Sequence, residues 1–235
     1  MIRLSVVAAL YNKENSIRQL YDSIKNAMES RTESYEIVFV NDGSRDRSVG
    51  ILDEIARSDS AVKVIHFEKN CGQTAAIWAG MKASGGELIA LLDADMQTDP
   101  RDIFRLMPFI ERVDFVNGKR MDRKGPLLRR TLLRLINGIR NFLTGDSLYD
   151  AQCPMKLMRR EVAESFHLYS GMHRYLPTLA KMNGFSVIEV SVSHQGGRDG
   201  GYRYGAFNRI FVGFMDAVVI GRLQKRVIHY RIKGD

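Results

Sequence analysis

An α/β protein with a mainly parallel central sheet is what this sequence predicts, on three observations. Short apolar runs of strand length alternate with segments of helical period, the pattern of βαβ units. Polar clusters follow three of those runs, as expected where strands end at a ligand crevice. The chain has 235 residues, 45% hydrophobic and 26% charged, which suits one compact domain with a sizeable core and a specialised tail.

The first strand is expected over Leu4 to Ala9. The run is too short for a signal-peptide apolar region with its cleavage site, and it leads directly into Tyr11, Asn12 and Lys13. Ile17 to Met28 has helical period, Glu36 to Val40 is the second strand, and Ser48 to Ala56 is the next helix. Strands follow over Val62 to Phe67 and Glu87 to Leu92, and the last clear one is Ser186 to Val192. The clusters "YNKEN", "NDGSRDRS" and "DADMQ" close the first, second and fourth strands and should face one crevice. No internal repeat or low-complexity linker interrupts the pattern.

Residues 126–144, "PLLRRTLLRLINGIRNFLT", read as a helix whose Leu128, Leu132, Leu135, Ile136, Ile139 and Leu143 share one stripe. Arg130 and Arg134 lie one turn apart on the opposite side, with Arg129 and Arg140 on a flank. Such a helix either packs its stripe into a core with a solvated basic face, or rests on a membrane surface. The late apolar stretch Ile210 to Gly221 contains Asp216 and falls short of the roughly 18 to 20 residues a span needs, so no transmembrane helix is expected.

The net charge of +8 is unevenly spread: residues 1–100 carry 11 Lys/Arg against 15 Asp/Glu, whereas residues 112–160 carry 12 against 4. The basic half calls for an anionic partner. Nucleic acid is disfavoured, because the basic segment lacks interleaved aromatics and any recognised binding module. A phosphorylated lipid or an anionic membrane surface fits better. The tail adds Arg222, Lys225, Arg226, Arg231 and Lys233, and such segments gain about 1 kcal/mol per charge near an anionic leaflet. Two cysteines, Cys71 and Cys153, are too few for a disulfide framework and indicate a reducing compartment. The expected organisation is a catalytic domain over 1–205 and a basic amphipathic tail over 206–235, placed peripherally at the cytoplasmic membrane face. A homo-oligomer is compatible with the sequence.

"ALLDADMQTDP" puts Asp93, Asp95 and Asp99 with Gln97 after an apolar run. Such carboxylates repel one another unless a cation joins them, and these hard oxygen donors suit Mg²⁺ or Mn²⁺. In "FVNDGSRDRS", Asp42 and Gly43 form a tight turn, and Ser44 or Asp46 can cap the following helix. A carboxylate at the Asp42 turn can accept a hydrogen bond from uracil or guanine.

These three clusters, in order, resemble the family 2 glycosyltransferases of GT-A fold: "SVVAALYNKENSI" is similar to their opening strand and loop, "VFVNDGSRDRS" to the second, "LLDADMQTDP" to their metal-binding Asp-x-Asp. "FEKNCGQTAAIWAGMKASGGE", "VNGKRMDRKGPLLRR", "DAQCPMKLMRREV", "GMHRYLP" and the segment "GGYRYG" after His194 extend the resemblance to polyprenyl-phosphate glycosyltransferases, the group that includes dolichol-phosphate mannose synthases.

The resemblance implies a nucleotide pocket at Ala8, Tyr11, Glu14, Asp42 and Asp93, and a metal site at Asp93, Asp95 and Gln97. It places Arg203 on the donor diphosphate, and Arg120 and Arg130, with Thr131 and Arg134 nearby, on the acceptor phosphate. Asp95, Arg120, Arg130 and Arg203 are the expected catalytic groups. The chain departs from the pattern at Ala9, where proline is usual, at Tyr202-Arg203-Tyr204, where Ser-Lys-Tyr is usual, and at "HQGGRDGG". Gly196, Gly197, Gly200 and Gly201 suggest a lid over bound donor.

The implied reaction moves a sugar from a UDP- or GDP-sugar to a polyprenyl phosphate, undecaprenyl or dolichyl, with inversion. Its chemistry agrees with the residues. A phosphomonoester, with a second pKa of about 6, is already an anion and needs positioning more than a base. The second half offers one strong carboxylate, Asp150, which can pair with Lys156 or Arg160, orient substrate or act as a base, ion pairing being favoured. His173 and His194 receive no chemical role. A family 2 enzyme acting on a saccharide or another lipid, and a non-catalytic protein binding nucleotide sugar or membrane, are the alternatives.

Overall fold

The computed structural model describes residues 2–31, 33–120, 138, 141, 148–193 and 215–223. The chain divides into two compact units, one of Met1–Arg123 with Asp150–Gly200 and the other of Lys124–Tyr149 with Gly201–Asp235.

The first unit is built on a seven-stranded sheet. Strands β1 (Leu4–Leu10), β2 (Tyr35–Asn41), β3 (Val62–His66) and β4 (Leu88–Asp93) are joined by helices α1 (Ile17–Glu29), α2 (Ser48–Ser58) and α3 (Gln73–Ala83). A 3-10 turn at Pro100–Asp102 and α4 (Ile103–Ile110) lead to β5 (Phe115–Arg120). Then follow β6 (Lys156–Arg159), α5 (Arg160–Glu164), a 3-10 turn at Met172–Tyr175, α6 (Leu176–Met182) and β7 (Val187–Val192). The sheet order is β3-β2-β1-β4-β6-β5-β7. Every pairing is parallel except those of β6, which runs against β4 and β5. The expected strands and the first two helices are thus present, their ends shifted by one or two residues. Strands β5 and β6 are additions.

Burial explains the winding. Val6, Ala8 and Leu10 of β1 join Ile17, Leu20, Ile24 and Met28 of α1 in one core. Val7 faces the other way against α3, so closely that a Cβ on Gly80 would lie 2.4 Å from Val7 Cγ1. Glycine at that position lets α3 approach the sheet. Layers on both faces leave the carboxyl edge of the strands as the open rim, and the order reverses between β1 and β4, where Ala9 is opposite Asp93.

In the second unit, residues 215–223 form a helix with Met215, Val219 and Leu223 exposed and Ala217 and Ile220 buried. Among the described residues no helix is long and apolar enough to cross a membrane.

Candidate active site

The rim is assembled from the loops after β1, β2, β3 and β4 and from the end of β5. The first two are zipped together. The Asn12 N–H donates to Ser44 Oγ at 2.9 Å, and Asn12 Oδ1 accepts from the Arg45 N–H at 2.9 Å. The Lys13 N–H donates to Ser48 Oγ at 3.0 Å. Glu14 accepts from the Arg47 N–H at 2.9 Å, and its own N–H donates to Asp46 at 3.1 Å. Asp46 also accepts from the Ser48 N–H in the first turn of α2, the capping role expected for it. Burial works against its ionised form, but the bonds from Ser48 and Glu14 prevail and its pKa falls.

Asp42 is buried and holds the loop after β3. Its carboxylate accepts from the Cys71 N–H at 2.7 Å, from Asn70 Nδ2 at 3.0 Å and, through both oxygens, from the Gly72 N–H. These three donors make four contacts, two on each oxygen. Gly43 next to it has φ +66°, and a Cβ there would lie 2.3 Å from the Lys69 carbonyl carbon. Behind the turn, Asn41 Nδ2 lies 3.0 Å from His66 Nδ1, and His66 Nε2 lies 3.1 Å from Asp53 Oδ1. Ala8 is buried within β1, and Tyr11 is exposed at the rim.

Asp93 ends β4, and the chain then turns through Met96, whose φ is +52°. Burial raises the Asp93 pKa, and the charge of Asp95 raises it further. Lys13 forms an ion pair with Asp95. Asp99 leaves the cluster: it caps the Pro100–Asp102 turn and pairs with Arg101 at 2.7 Å. Two carboxylates therefore remain, with half-buried Gln97 two residues beyond Asp95. No group of three or more His, Cys, Asp or Glu side chains among the described residues could hold a metal ion alone. The donor set of Asp93, Asp95 and Gln97 is nevertheless hard and oxygen-rich, and its crowded charge is relieved by a cation. Such a set would suit a hard divalent ion.

Arg120, at the end of β5, lies within electrostatic reach of Asp93. Its partner corrects an expectation: Asp150 pairs with Arg120, whereas the hydrogen bonds of Lys156 and Arg160 go to backbone carbonyls. The fork is two-pronged, Nε to Oδ2 at 2.7 Å and Nη2 to Oδ1 at 2.8 Å, and Asp150 is fully enclosed. A planar guanidinium matches a carboxylate in this way, as an ammonium cannot. Glu189 of β7 braces the pair, accepting from the Asp150 N–H at 2.8 Å and from Asn117 Nδ2 at 3.2 Å. Lys156 is buried and donates to the carbonyls of Ala151 and Cys153, and burial lowers its pKa to about 8. Arg160 donates to the carbonyls of Ser84 and Gly86.

The structure thus brings Tyr11, Glu14, Asp42, Asp93, Asp95, Gln97 and Arg120 to the rim, while Ala8 is buried within β1. Arg130, Thr131, Arg134, Arg203, His194 and the glycines of the expected lid lie outside the described residues. Sequence reasoning missed Lys13, Asn70 and Glu189. Lys13 carried a signal, lying in the polar loop after β1. The other two act through contacts 28 to 72 residues away in the chain.

The family model for glycosyl transferase family 2 matches residues 5–166. The chain is 30% identical to the dodecaprenyl-phosphate galacturonate synthase of Rhizobium johnstonii, over 97% of this chain and 70% of that protein. It is 36% identical to the undecaprenyl-phosphate 4-deoxy-4-formamido-L-arabinose transferase of Edwardsiella ictaluri, over 88% of this chain and 64% of that protein. The chain therefore spans about two thirds of the length of these relatives. Among solved structures, glucosyl-3-phosphoglycerate synthase from Mycobacterium tuberculosis, in complex with Mn²⁺, UDP-glucose and phosphoglyceric acid, aligns with a TM-score of 0.69. At 17% identity, over 97% of this chain and 81% of that one, the likeness concerns the fold. The fold is the expected GT-A type.

Proposed function

Since the chain belongs to glycosyl transferase family 2, we propose that it moves a sugar from a nucleoside diphosphate to a polyprenyl phosphate. The observation that carries this reading is that both relatives described above, aligned over most of the chain, are named for transfer onto such a lipid phosphate.

The residues fit the chemistry. The donor lies across the rim, its base toward Asp42 and its ribose and diphosphate toward Ala8, Tyr11, Glu14 and Asp93. Uracil and guanine both offer the N–H that Asp42 can take. Asp93, Asp95 and Gln97 would hold Mg²⁺ or Mn²⁺, which when bound neutralises the diphosphate charge. Arg120, fixed by Asp150, is assigned to the acceptor phosphate together with Arg130, Thr131 and Arg134. Arg203 meets the leaving diphosphate. A phosphate oxygen attacks the anomeric carbon, the bond to the nucleoside diphosphate breaks, and configuration inverts. The acceptor is already ionised, so the protein supplies position and charge compensation. Asp150, spent on Arg120, is a positioning group and not a base.

The catalytic part is assigned to 1–205 and a membrane-associating part to 206–235. The exposed stripe of Met215, Val219 and Leu223 and the Lys and Arg residues of the tail sequence support a peripheral seat on an anionic surface, assigned to the cytoplasmic face. The test is a panel of UDP- and GDP-sugars incubated with a short polyprenyl phosphate, following nucleotide release. Release that requires the lipid phosphate supports the reading, and release driven by a soluble saccharide instead would replace it with a saccharide-directed activity.

A further inference from the structure

Lys13 stands in the loop after β1, with its backbone tied on both sides. Its N–H donates to Ser48 Oγ at 3.0 Å, in the first turn of α2. Its carbonyl accepts from the Ser16 N–H at 2.9 Å and from the Ile17 N–H at 3.1 Å, where α1 begins. From that fixed point the side chain crosses to the loop after β4, where its ammonium pairs with Asp95 Oδ1. The two side chains are 35% and 31% exposed, so ions in solution can reach the pair.

A partly exposed ion pair contributes little to stability by itself. Its place gives it a consequence, because Asp95 is one of the two carboxylates assigned to the metal and Asp93 stands two residues before it. Lys13 and a divalent ion therefore compete for the same carboxylate. An ion arriving at Asp95 must either displace the ammonium or sit beside it, and like charges side by side repel. The described residues add no third His, Cys, Asp or Glu to the site, so the protein offers an ion few ligands of its own. A diphosphate alters both conditions. Its oxygens add ligands for the ion, and they give the Lys13 ammonium another anion to turn to. The flexible stem of lysine permits that turn while the backbone stays in place.

We propose that Lys13 is the built-in counter-ion of the metal site: it competes with the divalent ion for Asp95, so that the ion binds together with the donor's diphosphate rather than alone. The proposal rests on the metal and donor assignments above, and its test reads ion binding rather than transfer. Mn²⁺ is titrated into the whole chain, with and without saturating UDP or GDP, and free Mn²⁺ is counted by its electron paramagnetic resonance signal. Without nucleotide, Lys13→Gln should bind Mn²⁺ about three- to tenfold more tightly than wild type. With the nucleotide bound, the two should agree within about twofold, so the coupling between ion and nucleotide falls by about three- to tenfold. Lys13→Arg, which keeps a cation at the position, should behave as wild type. The bonds that hold the loop are made by the Lys13 backbone, so both variants should fold as wild type does, which the melting temperature checks. In an Asp95→Asn background, Lys13→Gln should change Mn²⁺ affinity by less than about twofold.

Mn²⁺ affinity that is unchanged or weaker in Lys13→Gln overturns the proposal, as does equal tightening in Lys13→Arg. A Lys13→Gln effect that persists undiminished in Asp95→Asn also overturns it, because the ammonium would then act elsewhere. Wild type that binds Mn²⁺ neither alone nor with nucleotide removes the metal assignment and the proposal together. Mn²⁺-dependent transfer to polyprenyl phosphate alongside unchanged ion binding in Lys13→Gln removes the role of Lys13 alone. The expected binding pattern without any transfer to polyprenyl phosphate removes the acceptor reading and leaves Lys13 in its role.

Discussion

Asp93 ends β4 half-buried beside Asp95, and its carboxyl is raised first by burial and then by that neighbour's charge. A carboxyl with a raised folded pKa favours the folded state at low pH, and this contribution fades as pH rises through that pKa. A divalent cation reverses the cost where Asp93 is ionised. Mn²⁺ should therefore raise the melting temperature at pH 7.5, by an amount that shrinks toward pH 4 and is mostly lost in Asp95→Ala. Thermal scans across pH check this, and a pH-independent or Asp95-independent shift would place the ion elsewhere.

Two glycines separate space from strain. Gly43 and Gly72 both have positive φ, but only Gly43 has backbone within 2.3 Å of an added Cβ, whereas Gly72 has nothing within 4 Å. Gly72→Ala should cost about 1 kcal/mol for the left-handed conformation alone. Gly43→Ala should cost more, about 3 kcal/mol, because the 69–70 backbone must also move. Chemical denaturation measures both, and equal costs would remove the steric part. At this scale the sequence displayed Asp93, Asp95, Asp42 and Gly43, whose neighbours in the chain announce a strand end or a turn. It concealed the pairing of His173 with Thr74, 99 residues apart, and the fork of Arg120 with Asp150, because a partner brought by folding leaves no local spacing.

Among the elements, β1 to β4 were legible because each is an apolar run bounded by polar clusters. Strand β5, "FVNGKR", was not, since Asn-Gly ordinarily marks a turn. Here Gly118 serves the packing: a Cβ would meet Cys153 Sγ at 2.8 Å and the Met155 carbonyl at 2.9 Å. Strand β6, "KLMR", has no β-branched residue and owes its form to pairing on both sides. Gly118→Ala should destabilise by about 1 to 3 kcal/mol. Pairing it with Cys153→Ala should recover part of that, the Met155 carbonyl remaining in the way. A double-mutant cycle from denaturation curves reads the coupling, and strict additivity would mean that the two side chains do not compete for space.

For the molecule as a whole, the contrast between an acidic first half and a basic stretch over 112–160 was visible without any structure, and so was the ordered series of strand ends that carries the family resemblance. The antiparallel β6 was not, because strand direction depends on how the chain returns to the sheet. The charge contrast carries its own prediction. The full chain should sediment with vesicles containing anionic lipid, release as salt rises, and bind neutral vesicles weakly. Salt-insensitive binding, or none, would argue against an electrostatic seat for residues 206–235.

The most direct measurement follows labelled sugar from its nucleotide into an organic-extractable polyprenyl phosphate ester. A lipid-linked product should form, disappear with EDTA, return with Mn²⁺ or Mg²⁺, and be absent in Asp95→Ala. Label reaching lipid at an undiminished rate in chelator, or reaching only water-soluble saccharide, would contradict this expectation.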